Sequence, residues 1–276
     1  MTPLQSAREG LLAAQRRGGR LALLFDYDGT LAPLVEHPRL ARLAPATRRV
    51  LERLAAWPRV HVGILSGRTI QDLKEMVGLA ELCFAGTGGL ELEIHGTYLT
   101  HPDALEAEQR VARIAQQVQP LLAAFPGTWL EDKRLGFTLH YRDLAADRVD
   151  QFRVRARVAL EPFSADLRSV DGPRAVEVTA ELGWTKGTAV RLIVRHLGIE
   201  GPGVLYAGDA ANDAEALQTV VAMGGAAVGV GPHAPQVAPY RLPGPPALVE
   251  FLSGLDLSDA RGGAQQGACR GLGRSS

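Results

Sequence analysis

The chain has 276 residues, of which 46% are hydrophobic and 22% are charged, as is ordinary for a globular protein. Its 30 basic and 30 acidic side chains give a formal net charge of zero, so we expect neither nucleic acid nor an anionic membrane as a partner. With only 2 cysteines and no apolar run of about 18 residues, neither a disulfide framework nor a membrane span is predicted, and we expect a cytoplasmic protein.

The first third of the chain alternates apolar strands with helical patterns. Its N-terminal 20 residues lack the apolar core of a signal peptide and are typical of an amphipathic helix. Strands and helices are then predicted in alternation at 21–26, 45–56, 60–66, 69–77 and 82–86. This βαβαβ order predicts a parallel sheet with helices on both faces, whose ligands bind beyond the carboxyl ends of the strands.

The pattern changes after the third strand. Alternating residues at 90–100 predict a β-hairpin that turns near His95 and Gly96. Two helices and four short strands follow, at 103–124, 128–133, 136–142, 145–160, 165–170 and 175–179. The βα alternation then resumes with elements at 185–197, 203–209, 212–221 and 226–231.

We therefore predict an α/β fold, in which a Rossmann-like parallel-sheet core carries an inserted α+β cap domain. The core is assigned to 1–100 and 181–255 and the cap to 101–180. The remaining segment, 256–276, is rich in Gly, Ala, Gln and Ser, and we expect it to be disordered.

Two acids, Asp26 and Asp28, leave the first buried strand in the stretch LALLFDYDGTLAPL. Carboxylates placed in this way are partly desolvated and repel each other unless a cation lies between them. Mg²⁺, held by a few carboxylates and a substrate phosphate, is the simplest partner. The pair also allows Asp26 to act as a nucleophile and Asp28 as an acid/base.

Three later motifs fall at comparable places. Ser66 and Gly67 end the second strand, where a hydroxyl and nearby N–H groups could hold a phosphate at a helix start. Lys186, one of only three lysines, begins a helix between two glycines. Asp209 ends a strand of the same predicted sheet and is interpreted as a metal ligand, whereas Asp213, at the next helix start, could also be an N-cap.

The ordered set D-x-D-G-T, S-G, K-G and G-D-x-x-N-D resembles the haloacid dehalogenase superfamily of phosphotransferases over about 21–252. The resemblance implies that Asp26 forms an aspartyl-phosphate and that Asp28 is the acid/base. It also implies that Ser66 and Lys186 hold the phosphoryl group. A Mg²⁺ ion would be held by Asp26, Asp28 (through its backbone carbonyl), Asp209 and Asp213.

The cap stretches LEDKRLGFTLHYR and AVEVTAELGWTKG are similar to those of trehalose-6-phosphate phosphatases. That resemblance implies substrate contacts from the core and the cap, namely Gly67, Arg68, Glu131, Lys133, Arg142 and Glu177. Carboxylates accept hydrogen bonds from sugar hydroxyls, and cations orient phosphate. Alternatively, the charged cap residues only form the solvated face of the cap strands.

Three positions depart from that family's usual pattern. Gly88 replaces a histidine, and Ala210 and Asn212 replace an aspartate and a threonine. Our first hypothesis is a monomeric, Mg²⁺-dependent trehalose-6-phosphate phosphatase of trehalose biosynthesis. The alternatives are a phosphatase for sucrose 6-phosphate or a glycosyl-glycerate phosphate, or a catalytically silent sugar-phosphate sensor; both acids being intact argues against the sensor.

Overall fold

The computed structural model describes residues 3–35, 40–79, 81–172 and 174–257. The strands are β1 (Leu21–Phe25), β2 (Val60–Leu65), β3 (Cys83–Gly86), β4 (Glu91–Ile94), β5 (Thr97–Thr100), β6 (Trp129–Asp132), β7 (Gly136–His140), β8 (Leu167–Gly172), β9 (Ala175–Ala180), β10 (Val204–Gly208), β11 (Ala226–Val230) and β12 (Tyr240–Leu242). The helices are α1 (Pro3–Arg16), α2 (Pro45–Ala55), α3 (Ile70–Val77), α4 (Ala104–Ala123), α5 (Val149–Leu160), α6 (Lys186–Leu197), α7 (Ala214–Ala222) and α8 (Pro245–Ser253).

The larger sheet has the strand order β12-β11-β10-β1-β2-β3-β4-β5. Pairing is parallel from β12 to β3, and the hairpin β4–β5 continues the sheet in antiparallel pairing. Strands β1, β10 and β11 are buried along their whole length, as expected for continuous apolar runs covered on both faces. The predicted parallel sheet is confirmed, and the carboxyl ends of β1, β2 and β10 meet at one edge.

Helices cover both faces of this sheet. On one face, α1, α2, α3 and α8 contribute buried side chains such as Leu11, Leu51 and Leu248. On the other face, α6 and α7 pack with side chains such as Ile193 and Leu217. The sheet is thus held between two apolar layers, and its strand ends are fixed relative to one another.

The smaller sheet lies between β5 and α6 in sequence, which confirms the predicted α+β cap; its exact residue limits stay a prediction. Its order is β6-β7-β9-β8, with antiparallel pairing throughout. Phe137, Leu139 and Val178 face α4 and α5 in a separate apolar core. Because successive strand residues alternate in direction, the intervening side chains of β7 and β9 point to the opposite face.

Most predicted elements are confirmed to within a few residues. The hairpin turns at His95 and Gly96, both with positive φ (48° and 80°), and Thr69 caps α3 rather than belonging to it. The predicted helix at 145–160 is divided into a 3₁₀ turn and α5.

The sequence analysis missed β12 and α8. The first has only three residues, too few for a clear alternation. The second begins with two prolines, which are also typical of loops. The predicted disordered tail lies, after its first two residues, outside the described residues.

Candidate active site

A buried lysine joins two aspartates at the carboxyl edge of the larger sheet. Lys186 Nζ donates to Asp26 Oδ1 at 2.6 Å and to Asp213 Oδ1 at 2.7 Å. Asp26 follows β1 directly, Lys186 is the first residue of α6, and all three side chains are at most 6% exposed. Such a buried charge cluster requires mutual pairing, because an isolated buried charge is strongly unfavourable.

Asp213 is bound on both carboxylate oxygens. Besides Lys186, its Oδ1 accepts from the hydroxyl of Tyr206 at 2.6 Å. Its Oδ2 accepts from the backbone N–H groups of Asp209 and Ala210 at 3.0 and 3.1 Å. These contacts hold the Asp213 carboxylate in place against Lys186 and stabilise the turn that follows β10.

Burial controls the electrostatics of this cluster. Burial raises the pKa of Asp26 well above its usual value, and Lys186 opposes that rise while Asp213 and Asp209 add to it. Burial alone would lower the pKa of Lys186, but the neighbouring carboxylates of Asp213 and Asp26 outweigh it and raise that pKa. Burial, with the charge of Asp213, also raises the pKa of Asp209 to about 7.

Three carboxylates in this cluster could bind a metal ion. Oxygen atoms of Asp26, Asp209 and Asp213 lie within 4.8 Å of one another. Asp26 Oδ2 is buried and has no hydrogen-bond partner among the described residues. Carboxylate oxygens are suitable ligands for a hard divalent cation, whose charge would oppose the rise in the pKa of Asp26.

Gly29 makes room for this group of acids. Its φ of 87° lies in the left-handed region, and a Cβ at this position would collide with the carboxylate of Asp209. Only glycine therefore allows the loop after β1 to approach Asp209 so closely.

Asp28 lies apart from the three acids. Its carboxylate accepts from Nε and Nη2 of Arg68, both at 2.6 Å, in a two-pronged ion pair. The guanidinium of Arg68 also lies 5.5 Å from the ring centre of Tyr27. Ser66 Oγ accepts from the backbone N–H of Arg68 at 3.2 Å within the loop after β2, and the Arg68–Asp28 pair joins that loop to the loop after β1.

A cleft between the core and the cap opens over this edge. It is lined by most of the residues predicted from the sequence: Asp26, Asp28, Ser66, Gly67, Arg68, Glu131, Lys133, Arg142, Glu177 and Asp209. The other two predicted residues, Lys186 and Asp213, lie behind its wall and contact Asp26 and Asp209 as described above. The fold thus brings residues from both sheets to one cleft.

On the cap side, Glu131 is held by two groups. Its Oε2 accepts from His140 Nε2 at 2.8 Å and lies 3.9 Å from Lys133 Nζ. Burial would raise the pKa of Glu131, but the hydrogen bond from His140 and the charge of Lys133 lower it overall.

Two contacts join the cap to the core within the cleft. Asn212 Nδ2 donates to Glu177 Oε2 at 3.1 Å, and Arg142 Nη1 donates to the backbone carbonyl of Val35. Glu177 also lies against Gly67, where a Cβ would come within 3.1 Å of its carboxylate. Asn212, one of the departures from the family pattern, therefore contacts a predicted substrate-binding residue.

The other two departures lie in different places. Ala210 lines the same cleft. Gly88 lines an adjoining crevice beside Lys186 and Thr179, which shares Glu177 and Asn212 with the cleft, and a Cβ at position 88 would meet the side chain of Thr179. A side chain at position 88 would therefore extend toward the cap strand β9 rather than toward the acids.

The sequence analysis missed three groups in this region. Tyr206 was hidden in an apolar strand, although a buried tyrosine hydroxyl generally needs a partner. Thr138 and His140, which line the cleft from β7, were inside a quoted motif but were not selected. They alternate with the apolar residues Phe137 and Leu139, and this pattern could have indicated that their side chains point away from the apolar core.

Comparisons with known proteins point to one family. The family model described as trehalose-phosphatase matches residues 24–238. The trehalose-phosphate phosphatase of Mycobacterium tuberculosis (strain ATCC 25618 / H37Rv) is 35% identical over 216 residues, which cover 77% of this chain and 53% of that protein. The chain thus spans about half the length of the curated relatives it matches.

Solved structures share the architecture. The C-terminal domain of trehalose-6-phosphate phosphatase from C. albicans superposes with a TM-score of 0.79 at 23% identity, covering 90% of this chain and 96% of that one. At that identity the likeness shows the fold alone. A trehalose-6-phosphate phosphatase of Aspergillus fumigatus is 26% identical, with a TM-score of 0.58 and coverage of 90% and 96%.

Proposed function

The chain belongs to the trehalose-phosphatase family, and we propose that it hydrolyses trehalose 6-phosphate to trehalose and inorganic phosphate. The observation that carries the proposal is the cleft itself. Asp26, paired with Lys186, faces cap residues able to bind a polyol, among them Glu131 and Glu177. One wall is thus suited to phosphate chemistry and the other to sugar recognition.

In the proposed reaction, an oxygen of Asp26 attacks phosphorus and the bond from phosphorus to the sugar oxygen breaks. Asp28 gives a proton to the leaving sugar oxygen. Water then attacks the phosphorus of the aspartyl-phosphate and gives a proton to Asp28. The bond between phosphorus and the Asp26 oxygen breaks, so that phosphate is released and Asp26 is restored. Arg68 binds both oxygens of the Asp28 carboxylate in this structure, so one of these two hydrogen bonds must break before Asp28 can carry the proton, while the other keeps the side chain in place.

Lys186 and Ser66 are proposed to hold the transferred phosphoryl group. The ammonium of Lys186 already contacts the nucleophile, so it can balance the negative charge that gathers between Asp26 and phosphorus. Ser66 directly follows β2, and its Oγ accepts from the backbone N–H of Arg68, which leaves the hydroxyl hydrogen free to be donated to a phosphate oxygen.

We propose Mg²⁺ as the metal, held by Asp26 and Asp209 with Asp213 behind them and with the backbone carbonyl of Asp28 that the resemblance implies. A bound divalent cation would supply charge neutralisation for the phosphate oxygens. The buried, unpartnered oxygen of Asp26 supports this assignment. Cytoplasmic location and a monomeric state stay predictions from the sequence.

A phosphatase for another sugar phosphate is a second candidate. The contact between Asn212 and Glu177 favours it, because Asn212 replaces the family's usual threonine and occupies one oxygen of a proposed sugar-binding carboxylate. Sucrose 6-phosphate and glycosyl-glycerate phosphates remain the substrates of that alternative.

Phosphate release from a panel of sugar phosphates, with Mg²⁺ and with the metal chelated, tests the proposal. We expect the highest kcat/KM for trehalose 6-phosphate and loss of turnover with chelator. A preference of more than about tenfold for another sugar phosphate would favour the second candidate. If no member of the panel releases phosphate, only the hypothesis of a sugar-phosphate sensor remains.

A further inference from the structure

The cleft-facing side of the cap sheet carries two polar side chains that the proposed mechanism does not use, Thr138 and His140 of β7. Thr138 is directly opposite Glu131 on β6 and Glu177 on β9. Side chains opposite one another on antiparallel strands lie about 5 Å apart at Cβ. The hydroxyl of Thr138 therefore lies in a row between two carboxylates that the family resemblance assigns to sugar binding.

Both side chains are buried and have an unsatisfied polar atom. Thr138 is 2% exposed and His140 is 4% exposed, yet both line the cleft. Among the residues that the structure describes, Thr138 Oγ1 and His140 Nδ1 have no hydrogen-bond partner. Buried polar groups are nearly always paired, because an unpaired one loses the hydrogen bonds it made in water.

The orientation of the His140 ring is fixed by its neighbours. Its Nε2 lies 2.8 Å from Glu131 Oε2, and an ionised carboxylate can only accept, so Nε2 carries the hydrogen. Trp129 stacks on the ring with 3.8 Å between ring centres and an interplanar angle of 18°. In the neutral ring, Nδ1 is then an acceptor, and the contacts with Glu131 and Trp129 set its direction.

We propose that Thr138 and His140 are further specificity-determining residues, which bind hydroxyl groups of the sugar that carries the phosphate. His140 Nδ1 accepts a hydrogen bond from one hydroxyl, and Thr138 Oγ1 binds another between Glu131 and Glu177. This inference rests on the proposed function, since it requires a polyol substrate in the cleft. Trp129 contributes by holding the ring of His140 in plane.

The test uses variants that remove one polar atom each. Thr138→Val removes the hydroxyl at nearly constant volume. His140→Gln keeps an N–H donor toward Glu131 and removes the Nδ1 acceptor. The readout is the ratio of kcat/KM for the sugar phosphate that the wild-type protein prefers to kcat/KM for p-nitrophenyl phosphate, which has no sugar hydroxyls.

We expect each variant to lower this ratio by about 2- to 10-fold, the range of a neutral hydrogen bond. Thr138→Ser, which keeps the hydroxyl, should restore the wild-type ratio. Thr179→Val is the matched control: Thr179 is on the same face of the cap sheet, but its side chain does not line the cleft and lies in the adjoining crevice beside Gly88. Its ratio should equal that of the wild type.

Two results would overturn the inference, and they differ from failure of the proposed function. If Thr138→Val and His140→Gln give the ratio of Thr179→Val, the two polar atoms bind only water. If Thr138→Ser behaves like Thr138→Val, the side chain acts through packing alone. If the wild-type protein hydrolyses p-nitrophenyl phosphate but no sugar phosphate, the proposed function fails as well.

Discussion

The charged cluster of the core and the cleft-facing side of the cap sheet differ in how fully their polar groups are paired. In the core, Lys186 already has two carboxylate partners and Asp213 accepts four hydrogen bonds. In the cap, Thr138 and His140 each keep a buried polar atom without a partner among the described residues. Apart from Asp26 Oδ2, which also lacks a partner and is left to the proposed metal, the core cluster is therefore paired within the protein, whereas the cap leaves two polar atoms to the proposed substrate.

The two sheets explain the difference. Parallel strands of the core end at a common edge, so charges from distant segments converge and satisfy one another. The antiparallel cap sheet packs one face on α4 and α5 and turns the other toward the cleft. On that open face Glu131 and Glu177 have protein partners, but Thr138 Oγ1 and His140 Nδ1 have none among the described residues.

The largest effect is expected when the proposed nucleophile in the core is removed. We expect Asp26→Asn to lower turnover by on the order of 10⁴-fold or more, because an amide cannot form the aspartyl-phosphate. The measurement is phosphate release from trehalose 6-phosphate, with a thermal melt to verify folding. Near-wild-type release in this variant would contradict the covalent mechanism.

A smaller loss is expected when the acid/base group is removed. Asp28→Asn should lower kcat by roughly 10²- to 10⁴-fold, the usual contribution of a general acid–base residue. Both the sugar phosphate and p-nitrophenyl phosphate should be measured, and the poorer leaving group, the sugar, should suffer more. A loss under about tenfold on both would mean that Asp28 only anchors Arg68.

The next prediction concerns the cap. Glu131→Ala should lower the ratio of kcat/KM for trehalose 6-phosphate to that for p-nitrophenyl phosphate by roughly 10- to 100-fold, the range of a charged hydrogen bond. Asp132→Ala is a matched control, because that neighbouring acid does not line the cleft above the acids. An unchanged ratio in Glu131→Ala would remove the trehalose assignment and leave a general phosphatase.

The smallest effect is expected where the two regions touch. Arg168 of β8 pairs with Glu215 of α7, and their side chains are 36% and 41% exposed. Exposed pairs contribute about 0–1 kcal/mol, so Glu215→Gln should raise KM by no more than about fivefold. We predict that the cap moves relative to the core during turnover; because the pair joins the two, its loss should favour an arrangement with the cleft more open.

Small-angle scattering measures that opening. We expect the wild-type protein to become more compact with a non-hydrolysable phosphate analogue, by movement at linkers near Pro102 and Gly183, and Glu215→Gln to be more extended without it. Identical profiles with and without the analogue would argue against a moving cap.

Much of this arrangement was predictable from local patterns. The core motifs that begin at Asp26, Ser66 and Asp209 directly follow apolar runs, so their place at strand ends followed from the alternation of strands and helices. Asp26 after β1 and Asp209 after β10 are examples. The α/β core, the inserted cap and the family could be predicted in the same way, because they depend on the order of motifs along the chain.

Which side chains pair with each other, by contrast, was decided only by the tertiary structure. Lys186 pairs with Asp26 across 160 positions of sequence, and Arg68 pairs with Asp28 across 40. A hydrogen bond forms only when the donor–acceptor distance is right to within a few tenths of an ångström, and no residue pattern specifies distances so closely. For the same reason, the sequence indicated that His140 is present, but only packing against Trp129 and Glu131 determined which of its ring nitrogens is left to bind a ligand.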